Sequence, residues 1–385
     1  MSSSICRWGI LGAANIARKN WNAIRHSGNG VVWAVASRDP DRAEAFIQES
    51  SLQTPPVIES ANQSMTLHRP IAASDYGALL DRDDIDAVYI ALPTAVRKPW
   101  VIAAAKAKKH VLCEKPAAVH GDDLAEMIDA CRSSGVGFMD GVMFDHSRRI
   151  PALRDVLGSS KTFGTLRRIQ SHFSFHGGDD FSTNDIRADA TLEPHGCLGD
   201  LGWYCIRLTL WATDGQMPSS VSGETVWSIE KQSADGIMRD VPGEFRGEMR
   251  FNDGLTAGLF CSFRCVNQQT AMLTGSQGYV TLDDFVLPFV GAESQFQLHR
   301  HDLRISGGRW NYGRHSQTFS VAEHASDQPD SQEVTMVRTI ASWALGAAID
   351  KRAADRALQT QRILDAMRQS DVSGGRFIPI PESLA

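Results

Sequence analysis

The first 140 residues alternate between two kinds of segment, and this rhythm limits the possible folds more than any other feature of the chain. Short apolar runs occur at Ile5–Leu11, Val31–Ala36, Ala87–Leu92, His110–Cys113 and Val136–Met139. Helix-like stretches lie between them at Ile16–Ile24, Asp41–Gln48, Val96–Lys108 and Asp122–Ser133. Runs that are apolar throughout, rather than at every second residue, suit strands buried on both faces, the usual state of a parallel sheet. Parallel strands need crossover connections, and helices of this length supply them. The pattern therefore predicts right-handed βαβ units and a doubly wound α/β sheet. Gln48 to Pro70 is rich in Ser, Gln, Thr and Pro and reads as a surface insertion.

Near residue 145 the rhythm changes. After one helical stretch, Ile150–Leu157, the runs Thr165–Phe175, Glu244–Phe251, Leu255–Cys265, Thr270–Thr274 and Tyr279–Leu282 alternate apolar and polar residues. Asn252-Asp253-Gly254 is a hairpin signal. Such runs predict a large open, mainly antiparallel sheet with one covered face. Ser331–Ala348 and Ala354–Arg368 are helical again, and Phe377–Ile380 suits a final strand. A length of 385 residues accommodates two domains, expected at 1–145 and 146–385.

Composition excludes several classes of function. Against 39 basic residues stand 45 acids, a net charge of −6, which argues against a nucleic-acid binder. No apolar run reaches the roughly 18 residues needed to span a membrane. Seven cysteines, an odd number without CxxC spacing, argue against a disulfide framework or a zinc site and favour a cytoplasmic protein with no metal.

Gly9-Ile10-Leu11-Gly12-Ala13-Ala14-Asn15-Ile16-Ala17 follows the first strand and opens the first helix. Aligned as G-x-G-x-x-G/A, the matches are Gly12, Ala14 and Ala17, with alanine replacing the middle glycine. The turn and the helix N-terminus offer N–H groups and a positive dipole end to a pyrophosphate, which assigns Gly12, Ala13, Ala14, Asn15 and Ile16 to cofactor binding. A site for NAD usually carries an acidic residue at the end of the second strand. Here Ser37 and Arg38 stand there, with Arg42 four residues on, and these suit a 2′-phosphate. NADP is therefore favoured over NAD, with Asp39 the opposing signal.

Two further groupings carry chemistry. Cys113-Glu114-Lys115-Pro116 follows the fifth apolar run, and a lysine at the carboxyl end of a parallel strand faces the ligand crevice of such sheets. Gly199-Asp200-Leu201-Gly202-Trp203-Tyr204-Cys205, read as a helix, sets Asp200 and Tyr204 on one face. His146, Asp185 and Arg187 are candidate substrate contacts. His172, His176 and His195 read as structural, His176–Asp180 as a loop beside the site, and Trp203, Trp211 and Cys261 as core.

The turn Gly9–Ala17, the triplet Glu114-Lys115-Pro116 and the stretch Gly199–Cys205 stand in an order and spacing that resemble the glucose–fructose oxidoreductase / inositol dehydrogenase (Gfo/Idh/MocA) family. The likeness runs along essentially the whole chain and leans toward the branch of dihydrodiol dehydrogenase and NADP-dependent D-xylose dehydrogenase. It implies an N-terminal Rossmann domain, a substrate-binding and oligomerisation domain, and a homodimer or higher homo-oligomer built by packing the open sheets together. Lys115 matches a lysine that touches nicotinamide and substrate, Asp200 a substrate-site carboxylate, and Tyr204 the acid/base of the dihydrodiol branch. Leu92-Pro93-Thr94-Ala95-Val96-Arg97 matches a loop near the cofactor, with Arg97 where histidine is frequent, a cation that suits either an anionic or highly hydroxylated ligand or a cofactor phosphate. The expected reaction is hydride transfer to or from a hydroxylated carbon of a sugar or dihydrodiol. Tyr204 is its acid/base, with a free pKa of about 10 that the charge of Lys115 lowers. The alternatives are an enzyme that keeps its cofactor and shuttles hydride between two sugars, and a non-catalytic NADP-binding sensor.

Overall fold

A computed structural model describes residues 5–53, 69–233 and 235–381. Most of the expected insertion therefore lies outside the described residues. The chain divides into two compact units, residues 1–143 with 326–361, and residues 144–325 with 362–385.

The first unit is the doubly wound sheet. Strands β1 (Cys6–Leu11), β2 (Gly30–Ala36), β3 (Ile71–Ala73), β4 (Ala87–Ile90), β5 (His110–Cys113) and β6 (Phe138–Asp140) alternate with helices α1 (Asn15–His26), α2 (Pro40–Gln53), α3 (Tyr76–Leu80), α4 (Arg97–Lys106) and α5 (Gly121–Ser134). The six strands lie in the order β3-β2-β1-β4-β5-β6, all parallel. Strand order reverses between β2 and β4, on the two sides of β1, and ligands of such sheets bind outside the carboxyl ends at that point. The four residues of β4 are buried, as a strand covered on both faces requires. Helix α2 runs to Gln53, five residues past its expected end.

The second unit contains helix α6 (Arg149–Leu157), strand β7 (Leu166–His176), the short α7 (Phe181–Asn184) and helix α8 (Trp203–Ala212). Strands β8 (Ser220–Gln232), β9 (Met238–Arg250), β10 (Thr256–Ser262), β11 (Arg264–Gly275), β12 (Tyr279–Leu282), β13 (Glu293–Ser306) and β14 (Arg309–Ala322) follow. The chain ends with α9 (Gln332–Ala344), α10 (Lys351–Val372) and β15 (Ile378–Pro379). Nine strands form one sheet in the order β14-β13-β12-β11-β7-β10-β9-β8-β15, antiparallel except for β7 beside β10. The Asn252-Asp253-Gly254 turn joins β9 to β10 with Gly254 at φ +83, as the hairpin signal required.

One face of this sheet is covered by α8, which packs on β7 and β10. The opposite face holds a depression of about 700 Å³. Its lining is mixed, about half polar and half apolar: Arg168 pairs with Glu248, Arg246 with Glu224, and Gln170, His172 and Thr281 lie around Phe260 and Met272. Along these strands the residues alternate as predicted, and charge pairs and amides share the outward positions with Phe260 and Met272.

The expected division of the chain also needs correction at its C-terminal end. Residues 326–361, assigned to the second domain on sequence grounds, fold with the first unit. Helix α9 packs on α1 and β5, and the Trp343 ring lies where a Cβ on Gly137 would come within 2.4 Å of it. Lys19 of α1 closes the contact with an ion pair to the buried Glu333 at 2.5 Å. Among the described residues no helix is long and apolar enough to cross a membrane.

Candidate active site

The turn between β1 and α1 demands glycine at one position. Gly12 adopts φ +104, and a Cβ there would lie 2.8 Å from the Ala91 carbonyl oxygen. Its N–H donates to the Ala36 carbonyl at 2.9 Å, while the Ala91 N–H donates to that of Leu11 at 2.9 Å, so the turn is wedged between the ends of β2 and β4. Ala14 is the N-cap of α1 and offers no side-chain cap, and the first turn of the helix holds no acidic residue. Ala13 and Ala14 are half-buried, and Asn15 and Ile16 are exposed. The helix therefore presents backbone donors and a positive end toward a free surface, the arrangement that receives a phosphate. Ala17 is fully buried, which explains a small residue at the third position of the motif.

At the end of β2, Ser37 is buried and Arg38 exposed. Arg42 reaches back from α2 and donates to the Ala13 carbonyl at 3.3 Å, so its charge stands over the phosphate turn. Two aromatic residues absent from the sequence reading stand nearby. Tyr76 packs edge-on against Trp100 with ring centroids 4.9 Å apart. Burial raises the pKa of Tyr76, opposed by the charges of Arg38 and Arg42. Neither aromatic residue belongs to a motif, and only their position at the ends of strands and helices beside β2 connects them to the site.

The loops after β4 and β5 share one anchor. Arg97 is 4% exposed, donating to the carbonyls of Leu92 at 2.6 Å and Glu114 at 2.7 Å, and also to that of Pro116. Its donors are spent on backbone carbonyls rather than on the expected anionic ligand or cofactor phosphate: Arg97 ties the loops after β4 and β5 together. Thr94 is buried in the first of them, with Leu92 buried and Pro93 half-buried. Glu114 is buried as well and accepts a hydrogen bond from the Tyr89 hydroxyl at 2.6 Å and one from the Lys115 N–H at 3.1 Å. Burial and then the charge of Glu114 push the Tyr89 pKa well up, which keeps Tyr89 a neutral donor. Glu114 therefore supports the loop from below, and Lys115, half-buried and followed by a cis bond to Pro116, is the member of the triplet nearer solvent.

In the second unit the glycine-flanked motif is not a plain α-helix. Leu198–Gly202 forms one wide turn with i→i+5 geometry before α8 begins at Trp203. Such turns recur at functional sites because they shift side chains off the regular helical spacing. A Cβ on Gly202 would come 2.7 Å from Leu198 Cδ1, so a larger residue there displaces the end of the Leu198 side chain. Tyr204 is 5% exposed, with its ring 5.7 Å from that of Phe173 and 6.5 Å from that of Phe144. Phe285 completes the aromatic wall against both phenylalanines.

Asp200 is engaged by Arg187, whose Nε lies 2.7 Å from its carboxylate. Arg187 also donates to Asp185 from Nη1 at 3.3 Å and from its backbone N–H at 2.9 Å. The charge of Asp200, ahead of opposing burial and the charge of Asp185, raises the Arg187 pKa. Three expected substrate residues thus form one charged cluster, and Asp200 is held by Arg187, a partner that sequence reasoning did not assign. His146 is half-buried, two residues beyond Phe144, and next to it Asp145 pairs with Arg207 of α8 at 3.0 Å. His195 is buried, His172 Nε2 contacts the Ser174 hydroxyl at 2.9 Å, and His176 Nδ1 accepts from the Gly178 N–H at 3.1 Å. Trp203, Trp211 and Cys261 are core residues. Among the described residues no three His, Cys, Asp or Glu side chains come together to hold a metal ion.

Comparison with known proteins agrees with this geometry. Residues 6–142 match the NAD-binding Rossmann domain of the Gfo/Idh/MocA oxidoreductase family, and residues 152–281 its C-terminal domain. The dTDP-3,4-didehydro-2,6-dideoxy-alpha-D-glucose 3-reductase of Streptomyces antibioticus is 33% identical over 303 residues, 78% of this chain and 83% of its own length. The D-xylose 1-dehydrogenase (NADP(+)) 2 of Haloferax volcanii is 28% identical over 359 residues, 89% of this chain and 99% of its own. Among solved structures, KijD10, a 3-ketoreductase from Actinomadura kijaniata in complex with NADP and TDP-benzene, superposes with a TM-score of 0.73 at 25% identity, covering 95% of this chain and 98% of that one. A glycine-dependent turn after the first strand, a lysine after the fifth and Tyr204 in the second unit thus occur in one chain matched over both family domains. The chain is an oxidoreductase of the Gfo/Idh/MocA family.

Proposed function

We propose that the protein is an NADP-dependent oxidoreductase acting on a hydroxylated carbon of a sugar or dihydrodiol, with Tyr204 as acid/base assisted by Lys115. The observation that carries this reading is Tyr204 itself, a hydroxyl held almost out of water in an aromatic wall, one turn after the charged pair Asp200–Arg187. The fit for a dinucleotide rests on the Gly12 cradle, the uncapped start of α1 and the cations Arg38 and Arg42. NADP in the KijD10 complex and in the name of the Haloferax relative supports the choice of cofactor. When bound, the nicotinamide gives or takes the hydride.

The residues of this chain then hold and move the proton. In the oxidative direction Tyr204 accepts the substrate hydroxyl proton at its phenolic oxygen, and in the reductive direction it returns it. Lys115 supplies a positive charge that favours the phenolate. Asp200, fixed by Arg187, orients substrate hydroxyls, a task that Asp185, Arg187 and His146 share in this reading. Gly12, Ala13, Ala14, Asn15 and Ile16 receive the pyrophosphate, and Ser37, Arg38 and Arg42 the 2′-phosphate. Leu92, Pro93, Thr94 and Glu114 shape the nicotinamide side. We assign the nucleotide role to the first unit, substrate binding and subunit contact to the second, a homodimer or higher homo-oligomer to the assembly, and the cytoplasm as its place.

The test is an NADP-linked screen at 340 nm with aldoses, dihydrodiols, inositols and a nucleotide-linked keto-deoxysugar. Turnover with one of these classes is the expected result. Nucleotide that survives purification and is reduced by one sugar and reoxidised by another favours the shuttle instead. Tight NADP binding with no turnover on any class refutes the enzyme reading and favours a sensor.

A further inference from the structure

The hairpin of β13 and β14 extends past the sheet that it edges. Strand β12 pairs with β13 only over Gln297–His299, whereas β13 and β14 stay paired to Ser306 and Arg309. About seven residue pairs, roughly 23 Å of ribbon, therefore have no further strand beside them among the described residues. The turn is built for this: Gly307 and Gly308 adopt φ +54 and +77, which the tight hairpin connection requires.

The ribbon is two-faced. Leu303 stands directly opposite Tyr312, and Ile305 opposite Trp310, so these four side chains share one face. They are 41%, 74%, 57% and 68% exposed respectively. The other face carries Asp302, Arg304, Arg309 and Asn311. By alternation along β13, the apolar side continues through His301, His299 and Gln297 onto the face of Thr281, which is the open face of the large sheet. Tyr279 links the two regions, stacking on His299 at 4.6 Å and meeting His301 edge-on at 5.6 Å.

We propose that this ribbon is an assembly arm whose apolar face docks on a second copy of the same chain. A free two-stranded ribbon is marginal in water and gains its stability from a covered face. Side chains of this size and exposure present roughly 500 Å² per arm, and a twofold contact uses the arm twice. The resulting total of about 1,000 Å² reaches the lower limit of a specific interface before any of the sheet is counted. Charge selects the same occupant. Residues 300–314 hold four arginines against one aspartate, a charge of +3, so the rest of a chain of net charge −6 carries −9. A basic arm is thus matched to an acidic copy of its own protein. The inference rests on the proposed homo-oligomer and adds the element that clasps it.

Sedimentation of the purified full chain tests it. Wild type is compared with Trp310→Glu/Tyr312→Glu, with Trp310→Phe, and with Met272→Glu on the open sheet face. NADP binding and the melting curve serve as fold controls, since both arm residues are exposed. The expected result is an oligomeric wild type, at least a 100-fold weaker association for the double variant, and retention of assembly in Trp310→Phe. A benzophenone photo-crosslinker at Tyr312, in an equal mixture of isotope-labelled and unlabelled chains, is expected to join heavy chains to light ones. A monomeric wild type overturns both the oligomer reading and the arm, as does a monomer that binds duplex DNA through the arm. An oligomer split by Met272→Glu but untouched by the arm variant, with cross-links only inside one chain, overturns the arm and leaves sheet packing standing.

Discussion

Replacing Arg97 with methionine probes the nucleotide-binding unit most directly, because the side chain keeps its apolar length and loses every donor. In the native chain the guanidinium serves the carbonyls of Leu92, Glu114 and Pro116 while 4% exposed. A hydrogen bond to a charged group contributes about 1.5–3 kcal/mol, so three amount to roughly 4.5–9 kcal/mol gross. Methionine removes the cost of burying a cation, which offsets part of that loss. Each buried carbonyl left without its donor costs about 1–3 kcal/mol, and about 4 kcal/mol in total is expected here. For a unit of about 180 residues each kcal/mol lowers Tm by about 2–4 °C, which gives a fall of about 8–16 °C. Dinucleotide affinity should drop at least tenfold, because the loops after β4 and β5 lose their common tie. Arg97→Lys should recover only part of either loss, since a single ammonium cannot reach three carbonyls as a planar fork does. Calorimetry and fluorescence titration with NADPH measure both effects. Native melting together with native affinity in Arg97→Met would refute the clamp.

Tyr204→Phe should lower turnover by about 10²–10⁴ while NADP affinity and Tm stay near native, because the ring still fills its aromatic wall; unchanged kcat removes Tyr204 from the mechanism. Arg38→Ala should weaken NADP roughly 10–100-fold, the loss of one charge-assisted contact, and leave NAD within about twofold. Equal losses for both nucleotides in a titration would show that Arg38 does not read the 2′-phosphate. Glu244 gives a pH-dependent case. The hydrogen bond from Arg264 depresses the pKa of this buried carboxyl, against burial, and the Ser262 hydroxyl assists. The stability it contributes is therefore present above its unfolded value of about 4.3 and lost as pH falls through the lower folded value. Urea unfolding of Glu244→Gln should show a deficit at pH 7 that shrinks toward pH 3, and a deficit equal at both would contradict the linkage.

Much of the nucleotide-binding unit was legible in the sequence because its signals are local. Five of its six strands are apolar runs, and the Gly12 turn is a motif with a steric cause. β3 was missed because three residues beside the expected insertion leave no period to read. β13 and β14 were missed because apolar residues are few in them: in their outer half the alternation is carried by Leu303 and Ile305 in one strand and Trp310 and Tyr312 in the other, too short a run among polar neighbours to be read as a period. At the site, residue types were readable and partners were not. Arg97 read as a cation for an anionic ligand or a cofactor phosphate, but the three carbonyls converging on it belong to loops about 20 residues apart. The pairing of Asp200 with Arg187 likewise depends on a wide turn that glycine content hinted at without fixing its geometry.

The return of residues 326–361 to the first unit bears on how the chain is made. The flank of α1 that α9 covers has been synthesised long before α9 exists. About 220 residues separate Met143 from Gln361, which at cellular translation speeds is roughly 10–45 s of waiting on the ribosome. Throughout that interval the nascent nucleotide unit carries an unshielded apolar side. The second unit is equally unfinished, because its last segment begins only at Arg362. Neither half can fold early and shelter the other, so chaperone demand should peak just before release, and a stop codon anywhere ahead of Trp343 should leave both halves as substrates for proteolysis.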